Sequence, residues 1–278
     1  IILLSGLTTI TGMAFIALRR PVHASIANAV SGVRIPVLYI FVAGGAMGIV
    51  ISAGVGFFFC LLYGLLILAI LKVRPKWPDM AFLKKSFSFS AGNYFVGLLN
   101  SAAGLLLPLI VLNKLGANET AYFYMAYSIA NIVFMIPSAL GTTIFVDGSH
   151  GGSLEQSTRK AFRGALIFLI PIALIALVAG GPLLSLIGKQ YESGGLALMQ
   201  LLILSSVPFV YMSTFISTSK VRGDIPSLIG VGIFNFVAIM ISSVALIGPF
   251  GLVGVGYAWI LSYLATSGLI YVLLKTRR

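Results

Sequence analysis

The sequence predicts an all-α membrane protein, a polytopic transmembrane helical bundle of about nine spans. Three observations lead there. The chain is 59% hydrophobic and only 9% charged, with a mean hydropathy of +1.08. Soluble domains carry about 25% charged residues, so this chain is too poor in charge to coat a water-facing surface. Its apolar residues also lie in long unbroken runs, such as 49–71 and 166–179. In lipid every backbone N–H and C=O must be satisfied internally, which leaves helices and closed barrels. A barrel would alternate apolar and polar residues in short segments. These runs do not alternate, and a crossing helix needs about 20 apolar residues.

The spans fall at about 1–18, 26–43, 47–71, 88–112, 121–146, 163–180, 196–218, 227–247 and 251–274. The basic residues test this map, because inner loops collect Lys and Arg. Clusters follow every second span: Arg19 and Arg20; Lys72, Arg74, Lys76, Lys84 and Lys85; Arg159, Lys160 and Arg163; Lys220 and Arg222; Lys275, Arg277 and Arg278. The alternate connections hold only Lys114 and Lys189. The alternation predicts a multi-pass plasma-membrane protein with a cytoplasmic C-terminus. It also explains the net charge of +12 without nucleic acid as a partner. The turn at Gly44-Gly45, the loop 113–120, the segment 181–195 and the turn at Pro249 are then expected outside.

The connection 73–88 is the longest inner one. It holds Pro75, Pro78 and the amphipathic stretch 80–85, and reads as a linker lying in the membrane interface. The expected organisation is therefore 1–72 as three helices of a first lobe, 73–88 as linker and 89–278 as a six-helix second lobe. The chain opens inside an apolar stretch without Met, which reads as a lobe lacking its first helices. Cys60, the single cysteine, lies inside an apolar run and reads as a buried structural thiol.

The third span opens on Gly45-Ala46-Met47-Gly48 and the last on Gly251-Leu252-Val253-Gly254. Both follow a span preceded by basic residues, and both run in the same direction. That is the pattern of a parallel repeat about an axis along the membrane normal. Glycines at this spacing also simply permit close helix packing.

The second half carries a family resemblance. A lead-in at 82–88 enters a span through Gly92-Asn93-Tyr94, which ends in Asn113-Lys114-Leu115-Gly116. The aromatic stretch 121–127 follows, then Ile136-Pro137-Ser138. This order, with Gly251-Leu252-Val253-Gly254 before the last span, resembles the polysaccharide flippases of the multidrug/oligosaccharidyl-lipid/polysaccharide exporter superfamily. The resemblance implies a two-lobe transporter with parallel repeats. It implies alternating-access flipping of a lipid-linked oligosaccharide or polysaccharide unit, with no cofactor. The implied partners are a lipid-linked sugar phosphate, membrane lipids and polysaccharide-assembly proteins.

Arg34 falls about eight residues into the second span. A charge there is costly and faces a cavity or partner, where a guanidinium can hold a phosphate by charge-assisted hydrogen bonds. It could instead snorkel to the interface. Asn93, Gly97, Asn100 and Gly104 share one helical face. Their amides could hydrogen-bond sugar hydroxyls, or join helices. Tyr124, Ser128 and Asn131 form a second such stripe, where a ring can stack on a sugar. The candidate substrate-binding residues are thus Arg34, Asn93, Asn100, Tyr124, Ser128 and Asn131. Asp147 and His150 read as a solvated loop, and the Ser/Thr cluster at 213–219, with Ser205 and Ser206, as back-bonding to helix carbonyls.

Nothing points to an enzyme or a metal centre. There is no His-Glu-x-x-His, P-loop or dinucleotide fingerprint. All six acids are predicted in loops or at span ends. A cation-coupled multidrug exporter of the same superfamily is the alternative function, and it calls for an intramembrane acid. A membrane-embedded envelope-synthesis enzyme is the alternative from another class.

Overall fold

The computed structural model describes residues 1–41, 44–73, 79–149 and 153–276. Pro75, Pro78, His150 and the basic residues Arg74, Lys76, Arg277 and Arg278 lie outside the described residues, as do the side chains of Phe82, Lys85, Asn100 and Ser149. The regular structure among them is helical throughout. The chain divides into two compact units, Ile1–Asp79 and Met80–Arg278.

The first unit contains α1 (Ile2–Ala17), α2 (Pro21–Ser31), α3 (Arg34–Phe41) and α4 (Gly45–Ile70). The span expected at 26–43 is two helices. Pro36 has no N–H to bond the Gly32 carbonyl. That carbonyl is taken instead by the Ile35 N–H at 3.0 Å, in a tighter turn. Arg34 therefore opens α3 and is exposed, rather than sitting deep in a continuous span. Together Pro21–Phe41 are still long and apolar enough to cross a membrane.

Helix α4 packs against α1, α2 and α3. Its buried residues are Gly48, Ser52, Gly56, Cys60 and Gly64, one every fourth position. Lipid offers no hydrophobic drive between helices, so close van der Waals approach along small residues holds them. A Cβ on Gly56 would meet the Ser31 carbonyl oxygen at 2.7 Å, and one on Gly64 the Thr11 hydroxyl at 3.0 Å. Cys60 is a buried free thiol, as expected. His23 lies in the first turn of α2. Its Nδ1 is hydrogen-bonded to the Tyr63 hydroxyl of α4 at 3.0 Å.

The second unit contains α5 (Met80–Leu115), α6 (Ala117–Ser149), α7 (Leu154–Ile187), α8 (Lys189–Arg222) and α9 (Ile225–Thr276). The helices run further than expected. Residues 80–88, read as linker, are the first turns of α5. The segment 181–195, expected outside, is helical except at Gly188, and Asp147 lies in α6. Gly116, at φ +94°, and Gly188 are the whole of two connections.

Helix α8 is the centre: 50% of its span is buried, against 22–33% for the other helices of this unit. Helices α6, α7 and α9 all pack on it. Leu198, Met199, Leu202 and Ile203 of α8 meet Phe123, Ala130 and Val133 of α6 and Leu169 of α7 in one apolar core. The Ser213 hydroxyl donates to the Pro137 carbonyl of α6 at 2.9 Å. Beside it Gly141 has no room for a side chain, because Ser217 Oγ would lie 2.6 Å from its Cβ. Ser205, Ser206, Thr214 and Thr218 bond back to carbonyls of α8 itself, as the sequence suggests.

Helix α9 folds back on itself at Gly251, whose φ of 58° and ψ of −141° break it into two limbs. Thr266 donates to Asn235 at 3.2 Å and Ser242 meets Ser262 at 3.1 Å, so polar pairs join the limbs where no water is available. With α2 and α3 counted as one crossing and α9 as two, the described residues supply nine apolar segments.

The parallel repeat has a structural counterpart within each unit. Gly45 and Gly251 both adopt positive φ, +55° and +58°. Three residues later, Gly48 and Gly254 each press on a carbonyl of the preceding segment, that of Phe41 and that of Leu246. Each glycine pair thus performs the same two tasks, a left-handed turn and a backbone-to-backbone approach.

Gly56→Val is expected to destabilise the protein by about 1–3 kcal/mol through overpacking, read as a lower melting temperature in detergent. Gly6→Ala, in open surroundings, should leave it unchanged or slightly raised.

Candidate functional site: a polar stripe on α6

A helix bundle in lipid should show lipid an apolar face, and α7 does. Its exposed residues include Ile167, Phe168, Leu174, Ile175 and Val178, the last 82% exposed. Helix α6 differs. Tyr124, Ser128, Asn131, Met135, Ser138 and Thr142 are all exposed. Their spacings of four, three, four, three and four place them on one line along the helix. Eighteen residues of helix span about 27 Å, close to the roughly 30 Å of a bilayer core. A stripe of phenol, amide and hydroxyl groups over that depth does not suit hydrocarbon, since unsatisfied polar groups cost free energy there. It suits a water-filled cleft or a polar partner surface.

The chemistry of the stripe follows from its hydrogen bonds. Ser128 donates to the Tyr124 carbonyl at 2.7 Å, Ser138 to the Phe134 carbonyl at 3.0 Å and Thr142 to the Ser138 carbonyl at 3.1 Å. Their protons are thereby used within the helix, and their oxygens remain as acceptors. Asn131 adds an amide with both donors and an acceptor. Tyr124 and Met135 add broad polarizable surface. The opposite face of α6 is locked in the core. Tyr127 stacks on Phe123 at 5.6 Å and meets Trp259 edge-on at 5.7 Å. Phe134 packs against Phe209 of α8 and Trp259 of α9. A rigid aromatic cluster thus fixes the orientation of the stripe.

Of the candidates read from the sequence, Tyr124, Ser128 and Asn131 stand together on this stripe. Met135, Ser138 and Thr142 extend it, and the continuing four-and-three spacing was the signal for them. The described members of the α5 group have different surroundings. Gly104 is pressed against the Tyr127 hydroxyl at 2.9 Å from its Cβ position, Gly97 has open space and Asn93 is half-buried. Gly104 therefore serves helix packing. The Asn100 side chain lies outside the described residues. Arg34 belongs to the first unit. All six acids sit at or near helix ends: Asp79 before α5, Glu119, Glu155 and Glu192 in first turns, Asp147 near the end of α6 and Asp224 before α9.

No protein-family model matches the sequence, and no curated protein matches it. Solved structures do. A MATE in complex with MaL6 superposes with a TM-score of 0.81 at 15% identity, over 98% of this chain and 66% of its own. The fold is that of the MATE transporters. The outward-facing conformation of a multidrug resistance MATE family transporter of the MOP superfamily matches at 0.76 and 15% identity, over 97% of this chain and 66% of its own. A MOP superfamily transporter from Pyrococcus furiosus Vc1 (DSM3638), whose binding pocket has reverse polarity suggesting a different function, matches at 0.74 and 14% identity, over 93% of this chain and 63% of its own. The chain spans just under two thirds of the length of these structures.

Single cysteines test the environment of the stripe. Asn131→Cys and Ser138→Cys are expected to react with a membrane-impermeant maleimide in intact membranes, since the thiolate forms only in contact with water. Ile175→Cys and Val178→Cys, on the α7 face, are expected to stay unlabelled, as is the buried Cys60. Equal silence at all positions would place the stripe against lipid or another helix.

Proposed function

We propose that this chain forms part of a polyspecific exporter of amphipathic organic solutes, working by alternating access in the manner of the multidrug transporters whose fold it shares. The observation that carries the reading is the exposed α6 stripe. Acceptor oxygens, one amide, a tyrosine and a methionine give adaptable contacts without a fixed charge. Flexible, Met-bearing surfaces suit binders that accept many ligands. The unit Met80–Arg278, with α5 to α8 and the two limbs of α9, would act as a six-helix lobe of such a transporter, and Ile1–Asp79 as part of a second lobe. The cytoplasmic placement of the basic helix ends belongs to the same proposal.

Flipping of a lipid-linked oligosaccharide is the second reading. The positions of the acids favour it: all six are at or near helix ends, whereas a cation-coupled exporter uses a carboxylate within the membrane. The amide, hydroxyl and tyrosine groups of the stripe would serve sugar hydroxyls equally well, and Arg34 a phosphate.

Two assays on the protein in proteoliposomes separate these readings. Cation-gradient-driven movement of ethidium, reduced about five- to tenfold by Asn131→Lys at unchanged melting temperature, would support the exporter; that factor corresponds to about one lost hydrogen bond. Movement of a fluorescent lipid-linked sugar between leaflets without ethidium transport, lost in Arg34→Ala, would establish the flippase and overturn the drug-exporter reading.

A further inference from the structure

The second unit contains a cavity of about 740 Å³ away from the α6 stripe. It opens where α7 begins, α8 ends, and α9 both begins and ends. Its walls are apolar, with Phe162 from α7, Tyr211 and Phe215 from α8 and Leu273 from α9. Its polar lining includes two guanidiniums, Arg159 and Arg222, both exposed. Hydroxyls lie between them, with Thr158 and Thr218 meeting at 3.4 Å. The acids on the lining are Glu155 and Asp224. Asp224 accepts the Ser227 N–H at 3.3 Å and so caps α9, while Glu155 sits in the first turn of α7. Both are thus placed where the positive end of a helix offsets them.

We propose that this cavity binds the phosphate group of an amphiphile, the phosphate held by Arg159 and Arg222 and the hydrocarbon laid along Phe162, Phe215 and Leu273. Three observations combine. Two guanidiniums converge on one opening, and guanidiniums take phosphate oxygens bidentately. The two acids of the lining sit at the N-termini of α7 and α9, whose positive ends offset them and leave the guanidinium charge for an anion. The volume falls within the ordinary range for small-molecule pockets, about 300–1,000 Å³, and the apolar wall gives an alkyl chain a place that a free phosphate would leave empty. The site lies within one unit and does not depend on what the cleft transports. The shared chemistry is a phosphate ester, either a phospholipid headgroup or a soluble phosphate.

Native mass spectrometry of the whole protein in detergent tests it, with dioleoyl-phosphatidylglycerol, dioleoylglycerol and inorganic phosphate as probes. Retention of the phosphatidylglycerol but not of dioleoylglycerol is expected. Arg222→Gln should weaken it about tenfold, the loss of one charge-assisted contact. Arg163→Gln, on the same face of the membrane but outside the lining, should leave it unchanged. Competition by millimolar inorganic phosphate would keep the phosphate site and assign it to soluble esters; its absence would assign it to lipid. Thr218→Trp, which fills the cavity, gives a second reading should the arginine variant fold poorly. Equal retention of dioleoylglycerol, or retention unaffected by both variants, would overturn the proposal.

Discussion

The closeness of helix backbones holds this protein together. In lipid, burying apolar side chains between helices gains little over leaving them in hydrocarbon. What remains is van der Waals contact, and contact needs small residues where helices cross. The buried line of α4 is glycine, serine and cysteine alone. In the second unit Gly141 lets α8 approach α6 near Ser213 and Ser217. Gly254 lets the two limbs of α9 meet at the backbone. Given these contacts, some internal polar groups find partners across helices or limbs, as Ser213 does at Pro137 and Thr266 at Asn235, while the buried Ser243 Oγ and Trp259 indole N–H have none among the described residues.

The same constraint explains why a polar stripe on α6 carries information. On α7 the exposed surface follows the rule of an apolar coat from Ile167 to Ile187. On α6 the buried face is rich in rings: Phe123 stacks on Tyr127, and Tyr127 and Phe134 meet rings of α8 and α9. These rings prevent the helix from rotating its polar residues inward. The stripe is therefore held on the outside of its own unit by packing on the opposite side. Structure and function meet in that one helix: aromatic packing sets the angle, and the angle sets what the amide and hydroxyls can reach.

Much of this was legible in the chain. Hydropathy marked every crossing, and the spacing of Tyr124, Ser128 and Asn131 marked the stripe. The repeat at Gly45 and Gly251 was visible as similar peptides. Helix lengths were not, because glycines and charged residues at span ends read as loops, while helix continues through them when neighbours satisfy the backbone. Segment 181–195 is the clearest case. It begins at Gly181-Pro182 and ends at Gly194-Gly195, yet Gly181 lies against Glu192 and Gly194 against Tyr122, so these glycines are contacts. The break at Gly32-Val33 was missed for the opposite reason. Pro36 acts on the carbonyl four residues before it, and the apolar pattern runs through undisturbed.

The sequence by itself determined that the chain is helical, that it crosses a membrane many times and that its positive charge collects at alternate connections. These follow from composition and order along the chain, because lipid excludes unpaired backbone and electrostatics sorts loops. The tertiary structure alone decided which residues of a polar pair face outward. Asn93, Gly97, Asn100 and Gly104 repeat at the same four-and-three spacing as Tyr124, Ser128 and Asn131, yet Gly104 is packed against Tyr127 while Asn131 is exposed. It also decided that Arg159, Arg222 and two helix starts surround one cavity, since these groups lie up to 71 residues apart in the chain. Periodicity gives the face of a helix, but the neighbour that covers it belongs to the fold.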